Sequence, residues 1–162
     1  MEQNDSTKQV AAIKNGTVID HIPPEHLFKI IDILEIGDMD NTVTIGYRLP
    51  SGKMGRKGMI KIFDKTEFDQ TALEKAALLA PNATVNKIID YKVSLDKDEN
   101  GGKPCLPLPE KELRNIVKCT NPRCITNNEP MPTLFTWVDR GDWTIKCEYC
   151  GRKIKKENFE LK

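Results

Sequence analysis

The chain has 162 residues, 38% hydrophobic and 30% charged, with a formal net charge of +1. That balance suits a soluble globular protein of one medium domain or two small ones, and it excludes general disorder. It supplies no bulk electrostatic reason to expect nucleic acid or a membrane surface as partner.

The longest apolar runs, such as "AALLA" at 76–80, are far too short to span a bilayer. The opening "MEQNDSTKQ" lacks the basic start and apolar stretch of a secretory signal, so a cytoplasmic location is expected. In that reducing compartment closely paired cysteines read as metal ligands rather than disulfides.

Taken in order, "QVAAI" (9–13) and "TVIDHI" (17–22) are short apolar segments split by the turn signal "KNG". In "PPEHLFKIIDILEIG", Leu27, Ile30, Ile31 and Leu34 recur at the spacing of one helix face. Pro23 and Pro24 suit its first turn, and Gly37 suits the position just past its end. "TVTIGYRL" alternates, so Val43, Ile45, Tyr47 and Leu49 are expected to point one way from a half-buried strand. "PSGKMGRKG" is a basic, glycine-rich turn leading to the strand "MIKIF", and the pair predicts a hairpin.

A second helix is expected from the N-cap Asp69 to Ala80, with Leu73, Ala76, Ala77 and Ala80 as its apolar stripe and Pro81 as its stop. "ATVNKIIDYKVSL" (83–95) reads as one long strand. Strand, helix, two strands, helix, strand is the split βαβ order of ferredoxin-like folds, here with an extra early strand. The fold class is therefore α+β: an antiparallel sheet with two helices on one face, then a small all-β module. The polar "DKDENGGKP" (96–104) reads as a linker, which sets the domains at 1–103 and 104–162.

Within the second domain, residues 118–153 hold four of the five cysteines, as Cys119-x4-Cys124 and Cys147-x2-Cys150. Each pair lets one tight loop aim two sulfurs at a common point, and a hairpin between the pairs would bring the loops together. Four thiolates fill a tetrahedral shell around Zn²⁺ at about 2.3 Å, leaving no open position for water or substrate, so such a site is structural. In a module this small, metal binding would supply on the order of 10 kcal/mol or more of folding free energy. The rival readings are free thiols, two disulfides, or iron in a rubredoxin-like centre, although such centres usually use two Cys-x2-Cys loops. Cys105 is left over from the pairs.

Several motifs, in order, resemble one family. "GTVIDHIP" resembles the N-terminal signature of aspartate carbamoyltransferase regulatory chains. "LPSGKMGRKGMIKI" and "APNATVNKIIDYKV" resemble two further stretches, and the cysteine spacing is similar to that of the family's zinc module. The resemblance runs from about Lys8 almost to the end of the chain.

It implies a non-catalytic allosteric subunit in de novo pyrimidine biosynthesis, with an N-terminal domain for nucleotide effectors, typically CTP as inhibitor and ATP as activator. It implies a zinc domain docked on the catalytic chain. It also implies regulatory dimers that link catalytic trimers into a dodecamer of six catalytic and six regulatory chains.

The residues alone offer no P-loop or GxGxxG fingerprint, and Lys14, Lys57 and Lys61 read more simply as surface charge. The resemblance places Val10, Ala11, Ala12 and Ile13 where the base is read through backbone, Ala11 standing where some relatives carry an acidic residue. It places Asp20 at the ribose, His21 and Lys61 near the phosphates, Met59 as an apolar wall, and Asn86, Ile88, Tyr91 and Val93 along the pocket. The family's lysine after the last strand is displaced: Asp96 stands there and Lys97 follows, making Lys97 the candidate phosphate contact.

Two other classes compete. A nucleic-acid-binding zinc ribbon would use "GRKIKK" with Trp137, Trp143 and Tyr149 as stacking surfaces, but Asp139, Asp142, Glu148, Glu157 and Glu160 interrupt the positive charge. An enzyme has little to work with, since the chain holds two histidines and no nucleophile-elbow signature.

Overall fold

The computed structural model describes residues 12–94 and 105–162, and its first unit is built on one antiparallel sheet. The strands are β1 (Gly16–Ile22), β2 (Val43–Ser51), β3 (Gly55–Phe63), β4 (Thr84–Ile89) and β5 (Lys92–Val93), with helices α1 (Leu27–Ile33) and α2 (Gln70–Leu79). The spatial order β2-β3-β1-β4-β5 contains the ferredoxin-like arrangement expected of the element order. Of the expected early strand, residues 9–11 lie outside the described residues, and Ala12 and Ile13 form no strand.

One face of this sheet is dry. Ile19, Ile60 and Ile62, paired across β1 and β3, are fully buried with Ile30 of α1 and Ala76 and Ala77 of α2. Both helices therefore cover the same side. The predicted stripe of α1 holds, with Leu27, Ile30 and Leu34 buried and Ile31 packed against them. Its stop differs from expectation: Glu35, not Gly37, takes the left-handed conformation (φ 53°), and a 3-10 turn over Ile36–Asp38 follows. That early break lets Ile36 reach the core, where it is buried. In α2 the expected cap is present, the Asp69 carboxylate accepting the Ala72 N–H at 2.9 Å.

Two strands depart from their sequence patterns. In β2 the register slips between Gly46 and Leu49, and Arg48 sits at φ 54°. Leu49 consequently lies over Gly46, where its Cδ1 would be 2.5 Å from any added Cβ, instead of sharing a side with Val43 and Ile45. The expected long strand over 83–95 folds back on itself. Asp90 (φ 51°) and Tyr91 (φ 63°) form a two-residue turn, and Ile89 pairs with Lys92. Positive φ at both central positions is the primed-turn geometry that suits hairpins, although tyrosine is costly there. One side-chain and one backbone acceptor hold it: Asp90 N–H donates to Asn15 Oδ1 at 3.0 Å and Tyr91 N–H to Lys14 O at 2.9 Å.

Gly16 begins β1 at φ 144°, and a Cβ there would meet the Ile62 carbonyl oxygen at 2.1 Å. Only glycine permits that approach of β1 to β3.

The chain divides into its two compact units between Leu108 and Pro109. Cys105 bridges to Thr84, Leu106 N–H donates to Ala83 O at 3.0 Å, and the Leu106 side chain enters the first core. The polar composition of 96–104 hid this apolar anchor just past it.

The second unit is a four-stranded antiparallel sheet in the order β6-β7-β8-β9. Its strands are β6 (Glu112–Arg114), β7 (Leu134–Asp139), β8 (Thr144–Cys147) and β9 (Lys153–Lys155), with a single helical turn α3 (Ile125–Asn128). Leu113, Ile116, Val117, Phe135 and Ile145 form its small core. The β7–β8 hairpin is the connection expected between the two cysteine pairs.

Candidate functional site

In the second unit Cys119 lies in the loop after β6, Cys124 caps α3, Cys147 ends β8, and Cys150 sits in the turn beyond it. Their four sulfurs lie within 4.8 Å of one another. The cross-pair distances are 3.6 Å for Cys119–Cys150 and 3.8 Å for Cys124–Cys147. A tetrahedron with bonds of about 2.3 Å has edges of about 3.8 Å, whereas a disulfide needs about 2.0 Å. The thiols form no disulfide, and the donor set fits one structural zinc.

Electrostatics give the same answer. Burial pushes the Cys119 thiol up to about 12, and burial likewise raises Cys147. Cys150 is also raised by burial, but the Asn121 side chain, the Arg152 N–H and the thiols of Cys119 and Cys147 together bring it down to about 6. One thiolate thus forms readily, while Cys119 and Cys147 resist joining it. A bound dication removes that conflict, because four thiolates then share its charge.

In the first unit the strand registers gather the expected effector residues on the face opposite the helices. Lys61, Val18 and Asn86 form one row across β3, β1 and β4. Beside it, Ile88 pairs with both Gly16 and Val93. Met59 follows the same alternation along β3, two residues from Lys61.

Asp20 is the polar centre of this face. Both of its carboxylate oxygens lie 2.9 Å from Lys57 Nζ, and Oδ1 also accepts the His21 N–H at 2.7 Å. His21 stands at the β1 bulge with φ 58°, its Nδ1 3.3 Å from Thr84 Oγ1 and 3.8 Å from Asp20 Oδ2. Burial holds the Lys61 ammonium below the ordinary lysine range, with Asp20 offsetting part of the shift.

Ile13 is buried, Ala12 exposed, and Tyr91 is 66% exposed at the tip of the β4–β5 turn. Val10, Ala11 and Lys97 lie outside the described residues. Two residues join the expected set through geometry. Val18 fills the middle of the Lys61–Asn86 row, and Lys57 holds Asp20. Period-2 alternation from Asp20 back to Val18, and from Lys61 back to Lys57, was the available signal.

The tryptophans of the second unit are already engaged. Trp137 and Trp143 meet edge to face at 5.9 Å, Arg140 lies over Trp137 at 5.6 Å, and Lys156 lies over Trp143 at 4.2 Å. Trp137 Nε1–H donates to Pro109 O at 2.9 Å. Their faces serve packing and cation–π contact, which disfavours the nucleic-acid stacking platform considered from sequence. Among the described residues, no helix is long and apolar enough to cross a membrane.

Known proteins are similar to this chain along most of its length. Residues 8–99 match the family described as aspartate carbamoyltransferase regulatory chain, allosteric domain, and residues 111–160 match its metal binding domain. An aspartate carbamoyltransferase regulatory chain of Parabacteroides distasonis is 50% identical over 154 residues, covering 95% of this chain and 94% of the relative. One from Bacteroides thetaiotaomicron is 45% identical over 161 residues, covering 99% of each. One from Escherichia coli O7:K1 is 42% identical over 152 residues, covering 93% and 94%. With the sulfur cluster inside the matched metal-binding region and the polar sheet face inside the matched allosteric one, the chain belongs to the aspartate carbamoyltransferase regulatory chain family.

Proposed function

We propose that the chain is the non-catalytic allosteric subunit of a cytoplasmic aspartate carbamoyltransferase in de novo pyrimidine biosynthesis. In this reading CTP and ATP bind on the sheet face opposite the helices of the first unit. The observation that carries it is the Lys61–Val18–Asn86 row with Asp20 and Lys57 beside it. A nucleoside triphosphate needs cations for phosphate, a carboxylate for ribose hydroxyls and apolar surface with amide groups for the base. Lys57 and Lys61, Asp20, and Val18 with Asn86 are groups of those types.

The second unit, shaped by its metal, docks on the catalytic chain. Ile125 and Tyr149, one beside each cysteine pair, are both 44% exposed and supply apolar contact next to the metal. Regulatory chains pair with each other and join catalytic trimers into a dodecamer of six catalytic and six regulatory chains. Support for self-pairing comes from β2, an edge strand whose Ile45 and Tyr47 are exposed, with Phe28 tilted against Tyr47 at 5.2 Å. Effector control then requires that nucleotide bind two quaternary states with different affinity.

The test mixes the full chain with the catalytic trimer of its own organism and reads assembly by sizing, with nucleotide binding measured alongside. Zinc-loaded chain is expected to assemble, and Cys119→Ala or Cys150→Ala to abolish assembly. Lys61→Ala is expected to weaken CTP and ATP binding by roughly ten- to a hundredfold, the worth of a charge-assisted hydrogen bond, while assembly survives. Unchanged nucleotide affinity in Lys61→Ala removes the effector site from this face.

A further inference from the structure

Cys124 is the N-cap of α3, yet its side chain makes no cap hydrogen bond with the helix. Its sulfur instead lies 3.2 Å from the hydroxyl oxygen of Thr126, a residue 94% buried by the complement of its 6% exposure.

The long first loop explains why this turn is so firmly placed. Between Cys119 and Cys124 the loop's carbonyls accept from two side-chain amides of α3. Asn127 Nδ2 donates to Cys119 O and Asn121 O, both at 2.8 Å. Asn128 Nδ2 donates to Pro122 O at 3.0 Å and Cys124 O at 2.8 Å. α3 is thereby tied to the loop it follows, and Thr126 is held against the sulfur.

We propose that Thr126 is a positioning residue of the metal centre, its hydroxyl donating to the Cys124 sulfur and setting how firmly that ligand is held. The chemistry fixes the direction of the bond. A cysteine that ligates a metal is a thiolate and can only accept, so the hydroxyl must donate. Such a bond lowers the energy of the sulfur lone pairs and fixes the Cβ–Sγ rotamer. Outer-shell partners of this kind typically change metal affinity by about 10- to 100-fold.

The test loads the full chain with Co²⁺, whose sulfur-to-metal charge-transfer band reports on the ligating sulfurs, and follows metal loss to a chromogenic chelator. Thr126→Val keeps the side-chain shape and removes the donor. The band is expected at longer wavelength, with metal affinity roughly tenfold lower or more, and Thr126→Ser is expected to restore both. Thr133→Val is the matched control, since this buried threonine donates to Val117 O at 2.7 Å and to no sulfur. It is expected to lower stability without moving the band. The band is read on metal-loaded chain isolated by sizing, so partial misfolding lowers yield without shifting it, and Thr126→Ala serves if the valine variant gives no loaded fraction. A parental band in the hydroxyl-free variant overturns the proposal, as does an equal shift in Thr133→Val or a failure of Thr126→Ser to restore it.

Discussion

The cysteine knuckles and the polar sheet face assemble their functional side chains by opposite means. Two local loops carry all four sulfurs, and a single ion between them would fix both loops at once. The sheet face draws on β1, β3, β4 and β5, so its side chains meet only after four strands have found their registers. A ligand at the first would help to make the fold. A ligand at the second would need the fold already made. The burial of the two units agrees: the first has a layered core beneath two helices, while the second packs three of its cysteines among its buried residues.

The largest expected effect breaks the comparison from the metal side. Cys124→Ser, or an excess of chelator, is expected to remove on the order of 10 kcal/mol or more from the second unit. Limited proteolysis should then digest it while the first unit survives as a resistant fragment, and elemental analysis should fall from one zinc per chain towards none. The converse experiment breaks the other unit. Ile60 is fully buried beside Lys61 but points to the dry side of the same strand. Ile60→Ala is expected to cost about 2–5 kcal/mol, read as a lower urea midpoint for the first unit with zinc content unchanged.

The smallest effect sharpens the contrast through pH. Burial lowers the Lys61 value in the free chain, with Asp20 opposing. An added polyphosphate favours the charged ammonium and raises that value again, so binding takes up protons. Triphosphate affinity is therefore expected to fall as pH rises through the lowered Lys61 value, short of the ordinary lysine range. Titration calorimetry in two buffers of different ionisation enthalpy would detect the uptake, and affinity independent of alkaline pH would separate Lys61 from the ligand.

These differences govern how much could be read from the chain before folding. The metal ligands were legible because Cys-x4-Cys and Cys-x2-Cys are local patterns with one common chemical solution. The strand-helix order gave the first sheet, since the short apolar segments "TVIDHI" and "MIKIF", the alternation in "TVTIGYRL" and the capped stripe of α2 are also local. The polar face was singled out only by resemblance: one lysine at 57 or 61 looks like any surface lysine until register brings Asp20 beside it. Where prediction missed, tertiary demand had overridden local preference. "IIDYKV" is mostly strand-like and has no glycine, yet it turns at Asp90 and Tyr91, where Lys14 and Asn15 accept the turn's N–H groups. Leu49 changed sides because one extra residue at a bulge inverts every later side chain.

The narrow approach at the start of β1 has a consequence for engineering. A saturation library across β1, sorted for expression alone, should return a single letter at position 16, because the Ile62 carbonyl occupies the volume any side chain would need. Val18 and Asp20, on the same strand, should drift under that sorting and freeze only when survival is tied to nucleotide response. The contrast between such paired libraries would separate the part of the strand that serves architecture from the part that serves signalling.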